Sequence, residues 1–312
     1  MLACAVLMAS SIAGAQAQPH ALELRKGDRI ILLGNTQAER MQHFNYFETL
    51  LMTRFPELEL TMRNLGWSAD TITLQPRPLN FPAAPTHLEE QKADVILAFF
   101  GVNESFEGDA GLPTFERDLD AYVKEHLQRS YNGTSAPRVV LVSPIAHERL
   151  PRLEQVDVAS RNRDLASYTE VMRRVAVRNG VMFADLFTPT KRLIEQAAAP
   201  LTINGIHLNE NGHRLVAGIL MEALGLGPDH MRPASGAQLE QLEALRGVVR
   251  EKNQQFFYRW RPVNAEYVVG RRVDPFGSVN FPPEMTKLDR MVEELDREIW
   301  RSAEALEGIR YP

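Results

Sequence analysis

From Asp28 to about Leu226, short apolar runs alternate with longer stretches of helical period. Residues 29–33, 58–64, 94–100, 138–144 and 181–186 have the continuous apolar character of strands buried on both faces. Between them, residues 37–55, 114–129, 161–179, 189–198 and 209–224 repeat apolar positions at spacings of three and four, the pattern of amphipathic helices. Strands that alternate with helical crossovers predict an α/β fold: a parallel sheet between two helical layers. Right-handed crossovers favour a five-stranded sheet in the order 2-1-3-4-5, a flavodoxin-like three-layer α/β/α sandwich. The switch point then falls between strands 1 and 3, so a ligand crevice is expected at their carboxyl ends.

The pattern changes after Gly227. Residues 237–261 and 283–306 read as two helices, and residues 262–282 between them are irregular, proline-bearing, aromatic and basic. A hinge at 225–228 divides the chain into an α/β unit, residues 18–227, and a C-terminal helical extension, residues 228–312. At the other end, residues 2–14 are apolar and small, and Ala15-Gln16-Ala17 follows them. That is the apolar core and small-x-small site of a signal peptide over residues 1–17, so a secreted or periplasmic protein is expected. Cys4, the only cysteine, lies in this leader, so disulfides and thiolate metal sites are excluded from the mature chain. No later stretch is apolar for long enough to span a bilayer. A net charge of −5 gives no electrostatic case for nucleic acid. No ligand spacing calls for a metal, and no motif calls for a cofactor.

Chemistry concentrates where the strands end. Gly34-Asn35-Thr36 follows the first strand, so a hydroxyl would sit at a helix N-terminus, where free N–H groups favour an oxyanion. The plainer reading makes Asn35 or Thr36 the helix cap. Gly66, after the second strand, offers a backbone N–H or merely a turn. Gly101-Val102-Asn103 ends the third strand, and Asn103 can aim its amide at an oxyanion or hold its own loop. Asn204-Gly205-Ile206-His207 precedes the last helix of the unit. His207 there is a candidate general base, with Asn204 in reach of its ring, or else a surface histidine. Asn35, Trp67, Glu104, His147 and, in the basic aromatic C-terminal segment, Arg271 are candidate substrate contacts. Aromatic faces stack on sugars and arginines clamp anions. The alternatives are a helical annex glued by aromatics and a loop glutamate paired with arginine.

In order and spacing these segments resemble the SGNH hydrolase (GDSL-type esterase) superfamily, over about residues 28–226. The resemblance implies an ester hydrolase. Gly66 and Asn103 would be oxyanion-hole donors together with the Thr36 backbone, and His207 would be the base. Two positions depart from the family pattern: Thr36 stands for its serine and Asn204 for its triad aspartate. Threonine adds a methyl that stiffens χ1, and asparagine brings no charge to an imidazolium. The expected function is therefore deacylation of a small-molecule or glycan ester, in particular a carbohydrate O-acetyl ester, through Thr36, His207 and Asn204. Two alternatives stand beside it. One is a catalytically impaired carbohydrate-binding descendant, and the other a crevice re-equipped for glycan cleavage through Glu104 and His207.

Overall fold

The apolar run after Asp28 forms β1 (Arg29–Gly34) in a computed structural model that describes residues 21–227 and 231–312. The leader read over residues 1–17, with Cys4, lies outside the described residues, as do residues 228–230 at the expected hinge. After β1 the single helix predicted for residues 37–55 is two, α1 (Thr36–Phe44) and α2 (Tyr46–Arg54). The break is at Asn45, which takes a left-handed conformation (φ +64°), one that asparagine tolerates better than most residues. Its Oδ1 accepts from Asn253 Nδ2 at 2.7 Å, a contact 208 residues away that local periodicity could not reveal.

β2 (Thr61–Asn64) is shorter than predicted because Pro56–Leu58 closes a 3-10 turn. A short helix that the periodicity did not indicate, α3 (Ala84–Glu90), comes next, with a proline in its first turn. Then follow β3 (Val95–Phe99), α4 (Gly108–Leu127), β4 (Arg138–Val142), α5 (Val158–Asn179), β5 (Met182–Ala184), α6 (Phe187–Gln196) and α7 (Glu210–Ala223). The C-terminal part contains β6 (Arg232–Pro233), α8 (Gly236–Trp260), α9 (Ala265–Val268), α10 (Ser278–Glu304) and β7 (Ile309–Arg310). α10 begins before the predicted 283 and carries Pro282 and Pro283 near its start, where few intrahelical bonds are lost.

The five long-range strands pair in parallel in the order β2-β1-β3-β4-β5, as the crossover rule requires. Alternation sends Ile30, Leu32 and Leu97 to one face, against Leu51 of α2 and Leu220 of α7. Ile31, Leu33 and Ile96 go to the other, against Leu119 of α4 and Val175 of α5. The C-terminal helices α8 and α10 pack on each other and cover the free edge of β2. Trp300 Nε1 donates to Leu60 O at 2.7 Å, Lys252 Nζ to Met62 O at 2.8 Å, and Arg63 and Asp296 form a buried ion pair. An open parallel edge is thereby closed by side chains rather than by another strand.

Candidate active site

The switch point is built by a glycine. Gly34 ends β1 at φ +119°, and a Cβ there would fall 2.0 Å from Phe99 O, so no other residue lets β1 turn this close to β3. Asn35 then caps α1: its Oδ1 accepts from Gln37 N at 2.9 Å. Asn35 is 1% exposed, so the expectation that it touches substrate is corrected; it is spent on the helix. This cap leaves the next hydroxyl free. Thr36 is half-buried in the first turn of α1, and its Oγ1 accepts one hydrogen bond, from Ala69 N at 3.2 Å.

That donor is not the one the sequence indicated. Gly66 is buried and its N–H is committed to Asn64 Oδ1 at 2.9 Å. Its lack of a side chain serves packing, since a Cβ would meet Glu39 N at 2.5 Å. The amide that faces Thr36 belongs to Ala69, at φ +68°, a left-handed backbone that costs an alanine about 1 kcal/mol. A glycine at position 69 would have signalled such a turn, and the alanine hid it. Asn103 is fixed to the same loop: its Nδ2 donates to Asp70 O at 2.8 Å and keeps a second N–H. Residues 69–70 thus join the Thr36 hydroxyl to the Asn103 amide.

Glu104 does not face the crevice. Its Oε1 accepts from Ile72 N at 3.1 Å and its Oε2 from Gly101 N at 2.8 Å, so the carboxylate clasps two loops together. Burial raises its pKa, although the bonds from these N–H groups oppose the rise. With both oxygens spent on backbone, the glycan-cleavage reading through Glu104 and His207 loses its acid.

His207 is half-buried before α7, among groups from α1. Its pKa is lowered mainly by burial, then by the Arg40 guanidinium, against an opposing pull from Glu39. No hydrogen bond joins it to Thr36 among the described residues. Its tautomer follows from Asn204. The Asn204 Oδ1 accepts from His207 N at 3.0 Å and Ile206 N at 3.4 Å, which orients the carboxamide. The Nδ2 end therefore points at His207 Nδ1, 3.0 Å away, and donates to it. The neutral ring then carries its proton on Nε2, the nitrogen that a base acting on Thr36 needs free.

The loop that carries His207 is held from beneath by a residue the sequence did not single out. The buried Glu148 carboxylate accepts from Leu201 N, Thr202 N and the Thr202 hydroxyl, and Glu148 N donates to Gly205 O at 2.8 Å. The His147 ring packs under Gly205, where a Cβ would come within 2.6 Å of Nε2. Burial and, less strongly, Arg161 lower the His147 pKa. It supports the loop.

Trp67 belongs to a cluster shared with the C-terminal part. The guanidinium of Arg261 lies 3.6 Å from its ring centroid and that of Arg77 4.3 Å, with Trp260 edge-on at 5.7 Å. Arg261 also stands 3.8 Å from Glu39 of α1. Arg271, the arginine expected to bind substrate, is 79% exposed and pairs with Glu266. Arg261 and Trp260 are the extension's contacts with Trp67. Among the described residues no group of three or more His, Asp or Glu is placed to hold a metal, and no helix is long and apolar enough to cross a membrane.

A sheet of this order, with a hydroxyl, an asparagine amide and a late histidine at its carboxyl edge, agrees with what the sequence matches: the GDSL-like Lipase/Acylhydrolase family, over residues 37–215. The chain belongs to this family. The GDSL-like match opens one residue after Thr36 and runs past His207, and it places the protein among hydrolases of ester bonds. No curated protein matches the sequence. Three solved structures share the GDSL-like fold at low identity. A gut microbial diltiazem-metabolizing enzyme, BT4096, is 14% identical with a TM-score of 0.60, covering 94% of this chain and 97% of its own. LAE5, an alpha/beta hydrolase enzyme from the metagenome of Lake Arreo, Spain, is 20% identical with a TM-score of 0.50, covering 65% of this chain and 97% of its own. A variant of Axe2, an acetyl xylan esterase from Geobacillus stearothermophilus, is 18% identical with a TM-score of 0.50 and the same coverage. At these identities they show the fold alone.

Proposed function

We propose that this protein is an exported ester hydrolase that removes acyl groups, acetyl in particular, from carbohydrates, with Thr36 as nucleophile and His207 as base. The observation that carries the reading is the junction at residues 69–70, where the hydroxyl opening α1, a left-handed backbone N–H and the Asn103 amide meet. In the mechanism, Thr36 Oγ1 attacks the ester carbonyl. The developing oxyanion takes hydrogen bonds from the Thr36 N–H and the second N–H of Asn103, at the positive end of α1, while the Ala69 N–H holds the Thr36 oxygen. The proton leaves to His207, which returns it to the departing alcohol, and water then releases the acyl group by the same path. Carbohydrate is the favoured substrate class because Arg261 of the extension meets Trp67 of the α/β unit beside α1, and because structures of this fold include an acetyl xylan esterase.

Asn204 slows this chemistry. It favours the ring tautomer with Nε2 protonated, a change that in serine proteases lowers turnover by about four orders of magnitude. That observation also supports a second reading, in which the crevice binds carbohydrate and turns over little. One experiment separates the two. The purified protein should release p-nitrophenol from p-nitrophenyl acetate and acetate from acetylated xylan, with Thr36→Ala reducing both to background. Unchanged hydrolysis in Thr36→Ala would remove Thr36 from the mechanism. Calorimetric oligosaccharide binding without any turnover would establish the second reading.

A further inference from the structure

The residue that sets the His207 tautomer is an asparagine followed by a glycine. Asn204 is exposed and precedes Gly205, which has no side chain of its own between its main-chain nitrogen and the Asn204 carboxamide. The two N–H groups on Asn204 Oδ1, from Ile206 and His207, curl the carboxamide back over the Gly205 peptide and polarise its carbon. Gly205 N–H donates to Thr202 Oγ1 at 2.9 Å, and the Thr202 hydroxyl donates in turn to the buried Glu148 carboxylate. A carboxylate thus stands behind the nitrogen, with one hydroxyl between them.

We propose that Asn204 deamidates to aspartate and that this modification supplies the carboxylate His207 lacks. Glu148, through Thr202, draws the proton from Gly205 N, which attacks Asn204 Cγ. The Cγ–Nδ2 bond breaks and ammonia leaves with that proton, giving a five-membered imide. Water then adds at Cγ, the bond from Cγ to Gly205 N breaks, the nitrogen regains a proton, and a carboxylate remains. Opening at the other carbonyl would route the main chain through the side chain and lengthen it by one carbon. The pairing of Ile203 N with His207 O at 2.8 Å and of Glu148 N with Gly205 O resists that lengthening, so the normal aspartyl product is favoured. With a carboxylate at position 204 the imidazole holds its proton on Nδ1 and presents a free Nε2 to Thr36.

The chain contains its own controls. Asn-Gly occurs three more times, at Asn132, Asn179 and Asn211. There the glycine N–H donates to Ser130 O, to Val177 O and to Asn209 Oδ1, with no carboxylate behind the acceptor. The proposal rests on the esterase reading, so its test uses two separate readouts. Fresh protein held at pH 8.5 and 37 °C is followed by peptide mass mapping and by p-nitrophenyl acetate hydrolysis, beside an Asn204→Asp variant. Conversion at Asn204 should outpace the other three sites about ten-fold, with aspartate as the main product. Hydrolysis should rise in proportion, toward a variant about 10,000-fold more active than the fresh chain. An Asn204 that converts no faster than the other three, or mainly to isoaspartate, overturns the proposal and leaves the esterase reading standing. Clean conversion together with an inert Asn204→Asp variant overturns both.

Discussion

One methyl group separates Thr36 from a serine, and in the first turn of α1 it restricts χ1 and crowds the approach of an ester. Thr36→Ser should therefore raise kcat/KM on p-nitrophenyl acetate by about ten-fold, some 1.4 kcal/mol of barrier. A fall to the Thr36→Ala level would show that the methyl is needed for positioning. The His207 ring sets the acid limb of the pH profile. Burial and Arg40 hold its pKa below 6.5, and a base works only when deprotonated, so activity should be lost on acidification at a pH below 6.5. Arg40→Gln removes the opposing charge and should move that limb upward in a kcat/KM profile. At this scale legibility was uneven. Gly34, Asn103 and His207 showed themselves by sitting after apolar runs or before a helix. Ala69 did not, because nothing in an alanine announces a positive φ.

At the scale of elements, the decisive feature is how α8 closes the sheet. Lys252 is fully buried, its Nζ donating to Glu48 Oε1 at 2.6 Å, Met62 O and Asn253 Oδ1. Burial lowers its pKa, and Glu48 opposes the shift. The cluster ties α8 to α2 and to the edge strand in one step. Lys252→Ala leaves the buried Glu48 carboxylate without its cation, with the Asn253 amide as its remaining side-chain donor, and should cost about 3–5 kcal/mol, read as a lower urea midpoint. An unchanged midpoint would mean that the extension adds little to the core. The strands and most helices were readable because their periods are local. The split of α1 from α2 and the presence of α3 were not: the first depends on Asn253 reaching Asn45, and the second is too short for its periodicity to be distinctive.

For the molecule as a whole, acid is the condition that exposes its weakness. His213, stacked on Phe44 at 4.1 Å, is pushed down to about 3, and His126, bonded to Tyr131, to about 4, both chiefly by burial. The unfolded chain binds protons at these rings below pH 6.5 while the native chain does not, so stability falls as pH drops through that window. At up to about 1.4 kcal/mol per pH unit for each ring, the pair removes about 3 kcal/mol between pH 6.5 and 5, a large share of an ordinary domain's stability. Asp70 and Glu104, whose carboxyls burial raises, offset part of this near their own titration range. Urea midpoints at pH 7 and 5 check the prediction. A flat profile that persists in a variant lacking His213 would contradict it.

The order of the strands and the glycine turn between β1 and α1 followed from the sequence by itself, since periodicity, glycine placement and crossover handedness act over a few residues at a time. The direction of each hydrogen bond was decided only in the folded chain. Gly66 turned out to be committed to Asn64, Ala69 to face Thr36, Glu104 to clasp two loops, and Asn204 to hold the His207 ring in one tautomer. A side chain's identity determines which bonds it is able to make. Which of them it does make depends on neighbours from distant parts of the chain, and those neighbours are set by packing alone.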